Sequence, residues 1–233
     1  MEQYVPILDH GYIKLVETWG SDEAIIEAAR MSTNKGFQGW DSDAKLLAYL
    51  HKHKHSTPFE MAGAVIEVKA PIFVFREWHR HRTQSYNEMS ARYVPLPDES
   101  YLPSAARLTE GATAAQATSN RQANSEAQFD DEYFDGEWAL NVQCKIDSVY
   151  THQQEAYEAL LAEGVPKELA RVVLSVGRYS KMRAQANLRN WLGFLTLRQD
   201  VKAQYEIRVY ADVLNSMLED RFPRTLGLFN EEV

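Results

Sequence analysis

The chain has 233 residues, 45% of them hydrophobic, and carries 33 acidic against 25 basic side chains for a formal net charge of -8. That balance argues against a general nucleic-acid binder, which spreads Lys and Arg over a whole face, and the size suits one substantial domain over residues 1–233. No apolar run approaches bilayer length and Met1 to Gly11 lacks the basic start and apolar stretch of a targeting segment, so a cytoplasmic protein with no membrane partner is expected.

Tyr12 to Trp19 alternates Ile13, Leu15 and Val16 with polar residues and predicts a strand. Ser21 then caps a helix whose first turn holds Asp22 and Glu23 and whose apolar stripe is Ile25, Ile26 and Ala29. After a polar break around Asn34 to Trp40, a second helix opens at Ser42 and buries Leu46, Leu47 and Leu50. His51, His53 and His55 alternate with lysine up to Pro58. A metal site there is disfavoured, because no carboxylate or cysteine completes the set and a helix end welcomes His and Lys for its dipole. Val65, Glu67 and Lys69 alternate with Ile66 and Val68, a strand that stops at Pro71.

From Ile72 to Arg82 the spacing predicts a helix with Phe75, Trp78 and Arg82 on one side and Arg76 and Arg80 on another. The following run to Tyr93 concentrates Arg80, His81, Arg82, Glu88 and Arg92 among serines and Asn87. Guanidinium groups are permanently charged forks matched to phosphate, so a cluster of them in an acidic chain points to a local anion site. The plain alternative is a solvated, salt-bridged surface with Ser85 and Asn87 as turn formers.

Pro103 to Asn141 turns to Ala, Ser, Thr, Gln, Asn and acids, which predicts an exposed, partly flexible excursion over 104–141. Val142 to Leu160 returns to helical spacing; Gly164 stops that helix and Pro166 starts a short one carrying Arg171. Ser180 to Leu188 reads as extended. Trp191 to Arg198 and Gln204 to Leu218 read as helices, with Trp191, Phe194, Leu197, Val209, Val213, Met217 and Leu218 in the core. The lone Cys144 excludes an internal disulfide and a cysteine-based metal site, fits a reducing compartment, and has nothing beside it to mark a lowered-pKa nucleophile.

Arg80-His81-Arg82, followed at fixed spacing by Ser85, Asn87-Glu88, Ser90 and Arg92, resembles the signature of the flavin-dependent thymidylate synthases. His55 to Glu60 is similar to the family's upstream flavin segment, Glu168 to Arg171 to its nucleotide-phosphate helix, and Asn187 to Arg189 with Leu197-Arg198 to its C-terminal elements. The resemblance implies an α+β fold: a mixed or antiparallel sheet flanked by helices, with a helical C-terminal third. It implies reductive methylation of dUMP to dTMP, with methylenetetrahydrofolate giving the carbon, reduced FAD the hydride, and NADPH reducing the flavin. It implies a homotetramer with sites shared between subunits.

By the same resemblance Arg198 is the catalytic group, holding the pyrimidine edge and stabilising negative charge on the ring, in place of a cysteine nucleophile. FAD would contact Thr57, Arg80, His81, Arg82, Glu88, Asn187, Leu188, Arg189 and Gly193. The nucleotide would meet Glu77, Trp78, His79, Arg80, Glu88, Met89, Ser90 and Ala91, with its phosphate against Arg92 and Arg171. Three positions depart from the pattern: Glu77 stands where Gln is frequent, Met61 where His is common, and Gly193 where Asn or His is usual. Those departures keep open a related enzyme making another 5-substituted product, such as a hydroxymethyl nucleotide. A non-catalytic RNA- or DNA-binding module on the arginine cluster with Trp78, Tyr86 and Tyr93 is the contrasting reading, and the acidic net charge opposes it.

Overall fold

Period-two alternation makes the strands, and it is cleanest where one face is buried. Ala64, Ile66, Val68 and Ala70 of β3 (Gly63–Pro71) and Met182, Ala184 and Ala186 of β5 (Tyr179–Asn187) point inward, while Lys181, Arg183 and Gln185 face out. The two strands pair along their whole length, from Gly63 opposite Asn187 to Pro71 opposite Tyr179. With β1 (Val5–Ile7), β2 (Gly11–Trp19) and β4 (Ser85–Glu88) they form a five-stranded sheet of order β1-β2-β3-β5-β4, antiparallel throughout. This computed structural model describes residues 4–117 and 133–231. In chain order the helices are α1 (Asp22–Arg30), α2 (Trp40–Lys52), α3 (Ile72–Trp78), α4 (Ala105–Ala117), α5 (Gly136–Ala162), α6 (Lys167–Ala170), α7 (Leu188–Arg198), α8 (Tyr205–Glu219) and α9 (Pro223–Asn230).

The chain forms two compact units: a first that runs to Met89 and resumes at Tyr179, and a second from Ser90 to Arg178. In the first, α1, α2, α3, α7, α8 and α9 supply the core that covers the apolar sheet face. Ser21 caps α1 by accepting from the Ala24 amide at 3.2 Å. Asp22 does more than favour the helix dipole. It is buried, and its carboxylate accepts from the amides of Arg224 (2.8 Å) and Thr225 (3.2 Å) and from the Thr225 hydroxyl (2.6 Å), so it caps the start of α9 from 200 residues away in sequence. Asp43 of α2 is likewise buried, paired with Arg30 and accepting from the Gln38 amide at 2.6 Å, which holds its carboxyl below the usual range against the cost of burial.

Four expectations need correction. The helix predicted over 72–82 stops at Trp78, because the chain turns to lay Ser85–Glu88 on the edge of β5, so Arg80 and Arg82 leave the helix. The second helix starts at Trp40 rather than Ser42. On α8 the buried stripe is Ile207, Tyr210, Ala211, Leu214 and Leu218, with Val209, Val213 and Met217 only partly covered; Tyr210 takes a core place because its hydroxyl donates to the Lys69 carbonyl at 2.7 Å. Leu197 is exposed rather than core. Within the predicted excursion, α4 and the start of α5 are helical, and residues 118–132 lie outside the described residues.

The second unit pairs α4 with α5. Asp135 caps α5, accepting from the Trp138 amide at 2.8 Å, and Gly164 closes it in the left-handed region at φ 86. Arg178 is buried and donates to the Pro97 carbonyl, the Asp98 carboxylate (both 2.8 Å) and Gln154 (2.7 Å), which offsets the cost of a buried cation.

Candidate active site

In the first unit the site is built on the turn that leaves α3. The amides of Arg80 and His81 donate to the carbonyls of Glu77 (3.2 Å) and Trp78 (3.0 Å), closing the turn. Its shape is locked from inside: the Trp78 indole donates to Gln84 at 3.1 Å, and the Tyr86 hydroxyl donates to the carbonyls of Trp78 and His81 at 3.0 and 2.7 Å. Burial pushes the Tyr86 phenol up to about 12, so it remains a donor. Trp78 is fully buried and stacks on Phe194 at 4.6 Å between ring centres, so its side chain belongs to the core and supports the turn.

Arg198, at the end of α7, docks on this turn. Its Nε donates to His81 Nε2 at 2.9 Å, Nη1 to Glu77 Oε2 at 2.7 Å and Nη2 to the Glu77 carbonyl at 2.9 Å. Burial, and then the Arg198 charge, push the His81 imidazole from 6.5 down to about 4. His81 is therefore neutral at physiological pH, with the Nε2 lone pair facing Arg198 and its proton on Nδ1. The guanidinium keeps one free N–H on each terminal nitrogen, two donors for an acceptor such as a pyrimidine carbonyl. Arg80 and Arg82 are exposed and make no ion pair with a described residue, which leaves both available to an anion. Glu88 is exposed on β4, His79 is exposed with Nε2 at 3.2 Å from the Met182 sulfur, and the Met89 amide donates to the Lys181 carbonyl at 2.8 Å.

A cleft of about 280 Å³ opens in the same unit. Leu50, Phe59, Leu192 and Phe229 make its apolar walls; His51, Lys54, His55, Ser56, Arg189 and Thr196 supply polar groups, and none of its lining residues is acidic. Arg189 is steadied by Glu60 at 2.6 Å, so the predicted upstream segment and the predicted Asn187–Arg189 segment meet here. Asn187 caps α7 by accepting from the Asn190 amide at 3.0 Å, which leaves its side-chain NH₂ as the group it can offer. The Leu188 side chain is fully buried, and its amide donates to the Ala62 carbonyl at 2.7 Å. Thr57 is exposed at the start of a short helical turn, Thr57–Met61. At Gly193 a Cβ would meet no atom within 4 Å, so its missing side chain widens the cleft. Apolar walls with a cationic rim fit one ring system of a flavin and an adjoining phosphate.

In the second unit Arg92 and Arg171 converge on Glu168. Arg92 Nε donates to its carboxylate at 3.1 Å and Arg171 Nε to its main-chain carbonyl at 3.3 Å, and both guanidiniums are exposed. Lys167 joins them, donating to the Tyr93 carbonyl at 3.1 Å, and the Ser90 hydroxyl oxygen accepts from the Arg92 amide at 3.3 Å. Three cations gathered about this segment, of which only Arg92 is paired with the Glu168 carboxylate, suit a phosphate. Ala91 is buried beside them in sequence and has no polar side chain to contribute. Cys144 is exposed on α5.

Among the residues that sequence reasoning missed are Lys167, Leu192, Thr196 and Phe229. The first adjoins the Glu168 segment, and Leu192 and Thr196 lie four apart on α7 around Gly193, so local spacing carried a signal for three of them. Phe229 carried none, because α9 reaches the cleft only through tertiary packing. His55 lies beyond the end of α2, so its place beside His51 in the cleft does not come from a shared helical face.

The family described as thymidylate synthase complementing protein matches residues 14–224. A flavin-dependent thymidylate synthase of Thermus thermophilus is 41% identical over 98% of this chain and 79% of its own length, and one of Ehrlichia ruminantium is 39% identical over 97% and 72%. Among solved structures, the UMP/dUMP methylase PolB of Streptomyces cacaoi bound with 5-Br dUMP superposes with a TM-score of 0.82 at 29% identity, covering 97% of each chain. The antiparallel sheet, the Arg80 to Arg92 run and this breadth of match agree: the chain belongs to the flavin-dependent thymidylate synthase family.

Proposed function

We propose that the protein converts dUMP to dTMP by reductive methylation, taking the carbon from methylenetetrahydrofolate and reducing equivalents from NADPH through FAD. Arg198 carries this reading: a guanidinium at the end of α7, held on three sides against the turn where the signature run begins, with two donors free. When bound, the flavin supplies the hydride. The chain's own residues do the rest. Arg198 donates to the pyrimidine edge and stabilises negative charge as it develops on the ring, preorganised so that no rearrangement is needed at the moment of reaction. Arg92 and Arg171, with Ser90, hold the phosphate. Arg80, Arg82 and Glu88, with the cleft at Arg189 and Gly193, hold the flavin. No thiol takes part, and Cys144 serves no step. The protein acts in the cytoplasm as a homotetramer.

The test is the mass of the nucleotide formed from dUMP, methylenetetrahydrofolate, FAD and NADPH, omitting each in turn. Product with the mass of dTMP that requires all four supports the reading, and absence of product from folded, flavin-bound protein refutes it. A hydroxymethyl mass would select the variant enzyme. The likeness to a methylase named for both UMP and dUMP favours running the assay with UMP in parallel, where turnover would extend the substrate to the ribonucleotide.

A further inference from the structure

Glu77 is aligned with the nucleotide contacts by resemblance, yet its oxygens face Arg198. The carboxylate takes Nη1 at 2.7 Å and the carbonyl of the same residue takes Nη2 at 2.9 Å, while His81 takes Nε at 2.9 Å. One residue therefore grips both arms of the fork, and a second fixes its stem. Rotation about the Cδ–Nε bond of the arginine side chain would break all three bonds together. The pair is sheltered, with 17% of the Arg198 side chain and 34% of the Glu77 side chain exposed, so the attraction is only partly screened.

A carboxylate is also poorly suited to touch this substrate. The nucleotide is an anion and its ring gains negative charge during the reaction, so a direct contact from Glu77 would be opposed by like charge, whereas a contact to the cation is not. We propose that Glu77 is a positioning residue, which acts by holding the Arg198 guanidinium in one orientation and does not itself hold the nucleotide. The proposal rests on the reading of Arg198 as the group that meets the pyrimidine.

Glu77→Gln keeps an acceptor oxygen at the same place and removes the charge; Glu77→Ala removes both. The first readout needs no reaction: hydrogen exchange of the Arg198 Nε–H, followed by NMR on arginine-labelled protein and assigned by its absence in Arg198→Lys. Exchange should stay slow in Glu77→Gln and speed up by roughly ten-fold in Glu77→Ala, because losing the Nη1 bond to the carboxylate, worth about a factor of ten, lets the guanidinium swing off its His81 acceptor. The second is kinetic. Glu77→Ala should lower kcat by about thirty-fold or more with KM for dUMP changed by less than about three-fold, and Glu77→Gln should recover most of the loss. Glu77→Met, which keeps the aliphatic stem, replaces the alanine variant if that one does not fold.

Unchanged Arg198 exchange in the folded alanine or methionine variant would overturn the proposal. So would a rise in KM at constant kcat, which marks a direct nucleotide contact, or a glutamine variant as impaired as alanine, which marks a need for the charge itself. If the wild-type chain forms no dTMP, the reaction reading fails while the exchange experiment still decides whether Glu77 positions Arg198.

Discussion

Replacing Asp22 by alanine should unfasten α9 and with it one wall of the cleft. The carboxylate accepts three hydrogen bonds, from the amides of Arg224 and Thr225 and the hydroxyl of Thr225, and Thr225 is fully buried. Bonds to a charged acceptor contribute about 1.5–3 kcal/mol each, and they are not additive, because water that enters the gap restores part of the loss. The capping role at a helix N-terminus contributes in the same range as other caps, roughly 1 kcal/mol. A net cost of about 3–5 kcal/mol follows, a large fraction of the ~5–15 kcal/mol that holds a typical fold, and equivalent to a fall in Tm of roughly 10 °C at this chain length. Asparagine keeps one acceptor but turns an NH₂ toward donors, so it should fall between the two. Urea unfolding gives the global number, and hydrogen exchange at the Arg224 and Thr225 amides shows whether the loss starts at α9. Because Phe229 of α9 lines the cleft, flavin titration should show weaker binding in the same variant. A loss below about 1 kcal/mol, or an asparagine variant less stable than alanine, would refute the capping argument.

Protonation of His81 should cost stability on the acid side. Its folded pKa, about 4, lies below its ordinary 6.5, so the unfolded chain binds more protons between those values and stability falls as pH drops from about 6.5 to about 4. Because the ring is half-buried, the loss should be nearer 1–2 kcal/mol than the full ~3.4 that the shift alone implies, and NMR titration of the His81 ring alongside unfolding at several pH values checks both. Arg198→Ala should raise the His81 pKa part of the way back, since burial remains, and should impair turnover far more than flavin retention; equal loss of both would contradict the role given to Arg198. Arg171→Ala should weaken dUMP binding by about 1–2 kcal/mol, the lower end for a charged contact because the side chain is exposed, as read by calorimetry. Gly193→Ala should fit without clash and stabilise α7 by up to about 1 kcal/mol, raising Tm by roughly 2–4 °C, with any change in flavin affinity reporting that the ligand reaches this wall.

Local chemistry determined much of this protein. Ser21 as a cap, the alternation of β3, the break at Gly164 with Pro166, and the arginine-rich run from Arg80 to Arg92 are decided by neighbours within a few residues, so they are legible in the chain. Tertiary packing decided the rest. The helix over 72–78 ends early because β5 offers an edge to Ser85–Glu88, and nothing local announces that edge. Tyr210 joins the core because Lys69, 141 positions away, leaves a carbonyl for its hydroxyl. Asp22 could be read as a first-turn carboxylate of its own helix, but only the fold brings it to the start of α9. The same holds at the site. The residue types of Glu77, His81 and Arg198 were visible, while the burial that, with the Arg198 charge, keeps His81 neutral and the bonds that aim Arg198 exist only where α7 ends against the turn after α3. Sequence fixes which groups are present and their local geometry; direction and pKa depend on distances across the fold, which one-dimensional spacing does not contain.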